Sequence, residues 1–171
     1  MEKGYVQVYT GNGKGKTTAA LGLSVRAVCA GKKVFFGQFV KGMEYSELKC
    51  TEFIDNLEIE QFGRRCFIYE EPSEEDITAA RNGLEKISNI LKSGNYDIVV
   101  MDELNIALYF KLFTVEEALK AIKGRVTHVE VVITGRYAPK EIIDIADLVT
   151  EMKDVKHYYY NGVEARQGIE F

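Results

Sequence analysis

The sequence predicts an α/β fold with a mostly parallel central sheet flanked by helices, and three observations predict it. Short apolar runs alternate with helix-like segments along the 171-residue chain, the order expected of parallel strands joined by crossover helices. The runs "IVVM" (98–101) and "VEVVIT" (129–134) are apolar nearly throughout, as strands covered on both faces are. A glycine-rich loop follows the first run and opens the first helix, a placement suited to phosphate binding.

The expected strands are Tyr5–Tyr9, Lys33–Val40, a weaker run at Leu57–Phe62, Asp97–Met101 and Val129–Thr134. Between them the spacing predicts helices over Gly15–Ala30, Ser73–Lys92, Thr114–Ile122 and Lys140–Ala146. Ser73 is a natural N-cap, and Glu74, Glu75 and Asp76 set negative charge at the positive helix end. Thr114 with Glu117 makes a capping box. Pro139 suits the first turn of the helix after it. In the tail "VKHYYYNGVEARQGIEF", Asn161-Gly162 reads as a hairpin turn that adds an antiparallel edge, with Tyr158 to Tyr160 as packed strand residues. Repeats, low-complexity tracts and linkers are lacking, so residues 1–171 are read as one domain.

A net charge of −4 gives no broad basic surface, which argues against nucleic acid as a partner. No apolar run reaches the roughly 20 residues of a membrane span. The segment Met1 to Gly4 has no apolar signal character, so the expected location is the cytoplasm. Cys29, Cys50 and Cys66 lack C-x-x-C spacing and are expected to be reduced thiols, not a zinc site or disulfide framework.

The chemistry is concentrated in "YTGNGKGKTTAALG", residues 9–22. It nearly fits G-x-x-x-x-G-K-[ST], with Gly15, Lys16 and Thr17 as its end and Thr10 where the opening glycine belongs. Backbone N–H groups of Gly11, Asn12, Gly13, Lys14 and Gly15 are expected to face phosphate oxygens, with Thr10 and Thr18 at the loop's edges. Lys16 supplies a full charge, and the Thr17 hydroxyl suits Mg²⁺. Lys14 is a second cation, read either as a phosphate contact or as solvated. "DIVVMDELN" puts Asp102 and Glu103 directly after an apolar strand, so one or both are expected to hold Mg²⁺, directly or through water. Arg136, just past "VVITG", is placed to hold phosphate. Arg26, nine residues past Thr17, is read either as structural or as part of the nucleotide site. His128 and His157 form no recognisable triad with a nucleophile.

Taken in order, "TGNGKGKTTAALG", "QFVKG", "DIVVMDELN", "VVITGR" followed by "IIDIADLVTEM", and "VKHYYYNGVEARQGIEF" resemble the P-loop family of ATP:corrinoid adenosyltransferases over nearly the whole chain, weakly between about 43 and 92. The resemblance implies a recombinase-like P-loop NTPase fold. It implies that a corrinoid Co(I) centre attacks the 5′ carbon of ATP and that the whole triphosphate leaves. It further implies ATP bound in reverse across the loop, a homodimer, and a reduced flavoprotein such as flavodoxin as electron donor. Lys16, Thr17 and Glu103 then carry the catalysis by neutralising the leaving group. Phe67 and Tyr69 in "CFIY" fall where the family places aromatics that displace the lower cobalt ligand. Two features depart from the family. An N-terminal helical extension is missing or replaced, since the chain begins almost at its first strand, and the family's Gly-Phe-Thr-Trp has no counterpart with Trp.

Two other activities share the loop. A P-loop nucleotide or nucleoside kinase needs an arginine-rich lid, for which only Arg64 and Arg65 stand out. A recombinase-like ATPase needs a basic DNA-binding loop, against which a pI near 5.4 argues.

Overall fold

The computed structural model describes residues 2–64 and 71–171. Six strands form one sheet: β1 (Val6–Thr10), β2 (Val34–Phe39), β3 (Leu57–Phe62), β4 (Ile98–Asp102), β5 (Glu130–Thr134) and β6 (Leu148–Glu151). Their order is β3-β2-β4-β5-β1-β6, and every pairing is parallel. Helices α1 (Lys16–Cys29), α2 (Glu74–Ser93), α3 (Leu104–Tyr109), α4 (Val115–Lys123) and α5 (Lys140–Ile145) make the crossovers other than that from β2 to β3. Short 3₁₀ turns occupy Ser46–Glu52 and Tyr158–Asn161.

Strand alternation divides the core between two faces. Val34, Phe36, Ile98, Val100 and Val132 pack with Ala20 and Ala27 of α1. Phe35, Phe39, Val99, Met101 and Val131 face the opposite way, into the cluster that includes Leu84 and Ile87 of α2 and Ile122 of α4. The central strands are buried on both sides, which is why their sequences show no polar alternation. Both capping motifs form: Asp76 and Glu117 reach back to the backbone N–H of Ser73 and Thr114.

Three expectations change. Among the described residues the sheet has no antiparallel edge, because its last strand is β6, inside "IIDIADLVTEM", and runs parallel to β1. Asn161-Gly162 ends a 3₁₀ turn instead of a hairpin. The left-handed conformation that makes Asn-Gly a hairpin signal serves a helix C-cap equally well, and Gly162 has φ 78°. Tyr159 and Tyr160 are consequently exposed, not packed in a strand. Helix α3 was not foreseen, since its six residues are too few to display a helical period.

Candidate active site

The carboxyl ends of β1, β4 and β5 converge beside the glycine-rich loop, with the end of β2 next to them. Gly11 has φ 93°, and a Cβ there would lie 2.4 Å from the Met152 carbonyl oxygen. Only glycine permits the loop to pass so close to the chain leaving β6. Gly13 N–H donates to that same carbonyl at 2.7 Å, and Met152 N–H donates to Thr10 O at 2.8 Å. Thr10 therefore ends β1 in the sheet, where its carbonyl is used.

Lys16 is nearly buried and folds over the loop, donating to the carbonyls of Gly11 and Gly13 at 2.8 Å each. Burial lowers its pKa; Glu103 and Asp102 oppose that shift and Arg136 adds to it. Thr17 Oγ1 donates to Asp102 Oδ1 at 2.9 Å. Asp102 is fully buried and saturated: Oδ1 also accepts from Thr134 Oγ1 at 2.6 Å, and Oδ2 accepts from Lys41 Nζ at 2.9 Å and Gln38 Nε2 at 3.2 Å. Thr134 in turn accepts from the Glu103 backbone N–H, fixing the turn after β4.

Glu103 sits in the left-handed region, φ 57°, at the start of α3. A non-glycine residue in that conformation is a common mark of a functional turn. Its side chain lines the cavity. Burial raises its pKa and the nearby Asp102 carboxylate adds to the rise, against Lys41, Lys16 and Arg136.

The cavity measures about 550 Å³ and is lined by Gly13 to Thr18, Lys41, Glu47, Glu103 and Arg136 on one side. His157 and the C-terminal segment 168–171 line the other. Lys14 Nζ donates to Tyr158 Oη and Ile169 O, both at 3.0 Å, and to Glu170 Oε1 at 2.6 Å. Ser46 Oγ donates to Phe171 O at 3.0 Å. Arg136 reaches Asn12 O at 3.5 Å. Among the described residues, no group of three or more His, Cys, Asp or Glu gathers to hold a metal. The donor set is two carboxylates and a hydroxyl, which matches Mg²⁺, an ion commonly held by one or two carboxylates plus substrate phosphates. Asp102 has its oxygens occupied and is suited to orient Thr17, whereas Glu103 faces the cavity.

The structure thus brings together Gly13, Lys14, Gly15, Lys16, Thr17, Thr18, Glu103 and Arg136, with Asp102 directly beneath. Arg26 is exposed near the far end of α1 and does not line the cavity, because nine residues of helix carry it roughly 13 Å along the axis. Phe67 and Tyr69 lie outside the described residues. Sequence reasoning missed Gln38, Lys41, Thr134 and the C-terminal wall as site components. "QFVKG" was the only signal for the first two, and no spacing rule ties it to a carboxylate 61 positions on.

The family described as ATP:corrinoid adenosyltransferase BtuR/CobO/CobP matches residues 2–171. The chain is 36% identical over 174 residues to the corrinoid adenosyltransferase of Sinorhizobium sp., covering 99% of this chain and 81% of that one. It is 35% identical over 170 residues to the corrinoid adenosyltransferase of Escherichia coli K12, covering 99% and 87%. Against corrinoid adenosyltransferase CobA of Salmonella typhimurium, identity is 37% over 171 residues, with the same two coverages.

Proposed function

Since the chain belongs to the ATP:corrinoid adenosyltransferase family, we propose that it transfers the 5′-deoxyadenosyl group of ATP to Co(I) of a corrinoid and releases triphosphate. The observation that carries this reading is the cavity that joins the phosphate loop, Glu103, Arg136 and Lys41 in one space. The Co(I) electron pair forms the Co–C bond at the 5′ carbon as the C–O bond breaks. That bonding pair leaves on the triphosphate, and cobalt becomes formally Co(III).

The chain's part is binding, alignment and charge neutralisation. Loop N–H groups and Lys16 grip the triphosphate. Thr17, oriented by Asp102, and Glu103 would hold Mg²⁺, which when bound would supply positive charge at the departing phosphates. Arg136 adds a planar donor fork at the same mouth. No side-chain nucleophile is required, because the corrinoid supplies the reacting electrons.

The corrinoid is cobalamin, cobinamide or cobyrinic acid a,c-diamide, which share the reacting centre. We further infer a homodimer, and a reduced flavoprotein such as flavodoxin as the source of the Co(II) to Co(I) electron. Phe67 and Tyr69 are assigned to displacing the lower cobalt ligand. If so, Phe67→Ala fails mainly when the assay starts from Co(II) and recovers with pre-reduced Co(I).

The deciding test is an incubation with MgATP and chemically reduced corrinoid. Adenosylcorrinoid and tripolyphosphate are the expected products. ADP with a phosphorylated acceptor indicates a kinase, and ADP with phosphate stimulated by nucleic acid indicates a motor; either overturns the reading.

A further inference from the structure

Lys41 lines the cavity but has no step assigned to it in the scheme above. It follows β2 through Val40, whose φ is 60°. A β-branched residue in the left-handed region is a genuine backbone outlier, and such strain persists where surrounding structure enforces a functional turn. The turn sends the Lys41 side chain over the end of β4. There its ammonium lies 2.9 Å from Asp102 Oδ2, 3.5 Å from Thr17 Oγ1 and 3.6 Å from Glu47 Oε1, and 5.0 Å from the centre of the Tyr45 ring. Its side chain is only 14% exposed, yet it lines the cavity.

The ammonium therefore bridges Thr17, whose hydroxyl would hold a divalent cation, and Asp102, the carboxylate that orients it. A cation bound to Thr17 Oγ1 at about 2.1 Å would sit close beside it, and the two like charges would compete for the same carboxylate. Lysine is a compact charge on a flexible four-carbon stem, so it is free to turn into the cavity. The other cations of the cavity are likewise parked on protein acceptors: Lys16 on loop carbonyls, Lys14 on Glu170 and Arg136 on Asn12.

We propose that Lys41 is an exchangeable counter-ion, neutralising Asp102 in the empty site and passing to the triphosphate when a divalent cation takes its place at Thr17. This rests on the triphosphate-site reading given above. In the loaded site Lys41 is a second cation, beside Lys16, on the charge that develops when the 5′ C–O bond breaks.

The test uses the full chain and two probes, Mn²⁺ alone followed by electron paramagnetic resonance, and tripolyphosphate with Mg²⁺ followed by calorimetry. Lys41→Met should bind Mn²⁺ about tenfold tighter, since its competitor is gone, and tripolyphosphate roughly tenfold or more weaker, the worth of one charge-assisted hydrogen bond. Should removing the charge disturb folding, Lys41→Met combined with Asp102→Asn is compared with Asp102→Asn alone. Tripolyphosphate should still bind tenfold weaker in the double variant. Unchanged tripolyphosphate affinity, or weakened Mn²⁺ binding, overturns the proposal. A wild-type protein that binds no tripolyphosphate overturns the functional reading along with it. Lys41-dependent tripolyphosphate binding without adenosylcorrinoid formation overturns the functional reading alone.

Discussion

Asp102 and Glu170 are both carboxylates held by lysines at the same cavity, and they belong to two differently built walls. Asp102 is fully buried at the end of a central strand and accepts from four side chains on β2, β5, α1 and the turn after β2. Glu170 is in the C-terminal segment and is held by Lys14, Tyr158 and Arg166. The side chains of that pair are 37% and 18% exposed, against 14% and 0% for Lys41 and Asp102. A buried ion pair that loses one partner leaves a charge stranded in low dielectric, whereas an exposed pair exchanges its partner for water. The Asp102 carboxylate therefore needs a cation beside it in every state, whether Lys41 or an incoming one, whereas the outer wall is held by contacts that solvent alone can replace.

The sharpest way to break this comparison is Asp102→Ala. It leaves Lys41, Gln38, Thr17 and Thr134 without their shared buried acceptor, so a loss of about 3–5 kcal/mol is expected by urea unfolding. A loss no larger than that of a surface substitution would mean that the inner wall is as replaceable as the outer one.

Lys16→Ala separates grip from stability within the inner wall. The adenosylation rate should fall by about 10²-fold or more, the usual cost of losing one strong electrostatic stabiliser. Folding stability should fall much less, because burial holds the Lys16 pKa below its ordinary value, so its charge is less favourable in the fold than in the unfolded chain and offsets the two hydrogen bonds lost. Near-wild-type turnover in the folded variant removes Lys16 from the triphosphate site.

The two walls also differ in how far the sequence reveals them. Lys16, Thr17, Asp102 and Glu103 sit at the ends of periodic elements, so their local spacing carries the chemistry. The sheet was readable for the same reason, since "IVVM" and "VEVVIT" need cover on both faces. Lys41 was not readable as an Asp102 partner, because the link depends on a strained turn at Val40 and on β2 lying beside β4. The Lys14–Glu170 contact spans 156 positions, and nothing local to either residue indicates it. Strand β6 carries only four exposed residues, so the two-residue burial alternation that reveals a strand is absent. Arg26 does not line the cavity, since nine residues of helix separate it from Thr17.

Glu103→Gln sharpens the contrast from the opposite side. Burial and Asp102 raise the Glu103 pKa. A raised folded pKa means stability that is present below the unfolded value, 4.5, and lost as pH climbs through the folded one. Without Mg²⁺, wild type and Glu103→Gln should therefore melt alike near pH 4, and the variant should melt higher near pH 8. Mg²⁺ with ATP should narrow the gap by stabilising the wild type more than the variant. Equal melting at both pH values would mean that Glu103 is solvated like an outer-wall carboxylate.

Glu170→Gln is expected to have the smallest effect, and its sign is the informative part. Its hydrogen bonds from Lys14 and Tyr158 hold the Glu170 carboxyl well below the usual carboxylate range, so the group stays ionised at any working pH. The linkage runs opposite to that of Glu103: the stabilising contribution exists above the unfolded pKa and disappears only as pH falls through the depressed folded value. Affinity for MgATP should therefore show no step from Glu170 between about pH 5 and 9. Removing the charge frees Lys14, which already lines the cavity, for an incoming phosphate. MgATP should then bind a few-fold tighter at low salt, the scale of an exposed ion pair, and the gain should fade near 1 M salt as the interaction is screened. The melting temperature should fall only slightly, because a solvent-screened pair contributes little. Weaker MgATP binding, persisting at high salt, would instead make Glu170 part of a rigid nucleotide wall, and the two sides of the cavity would then differ in burial but not in kind.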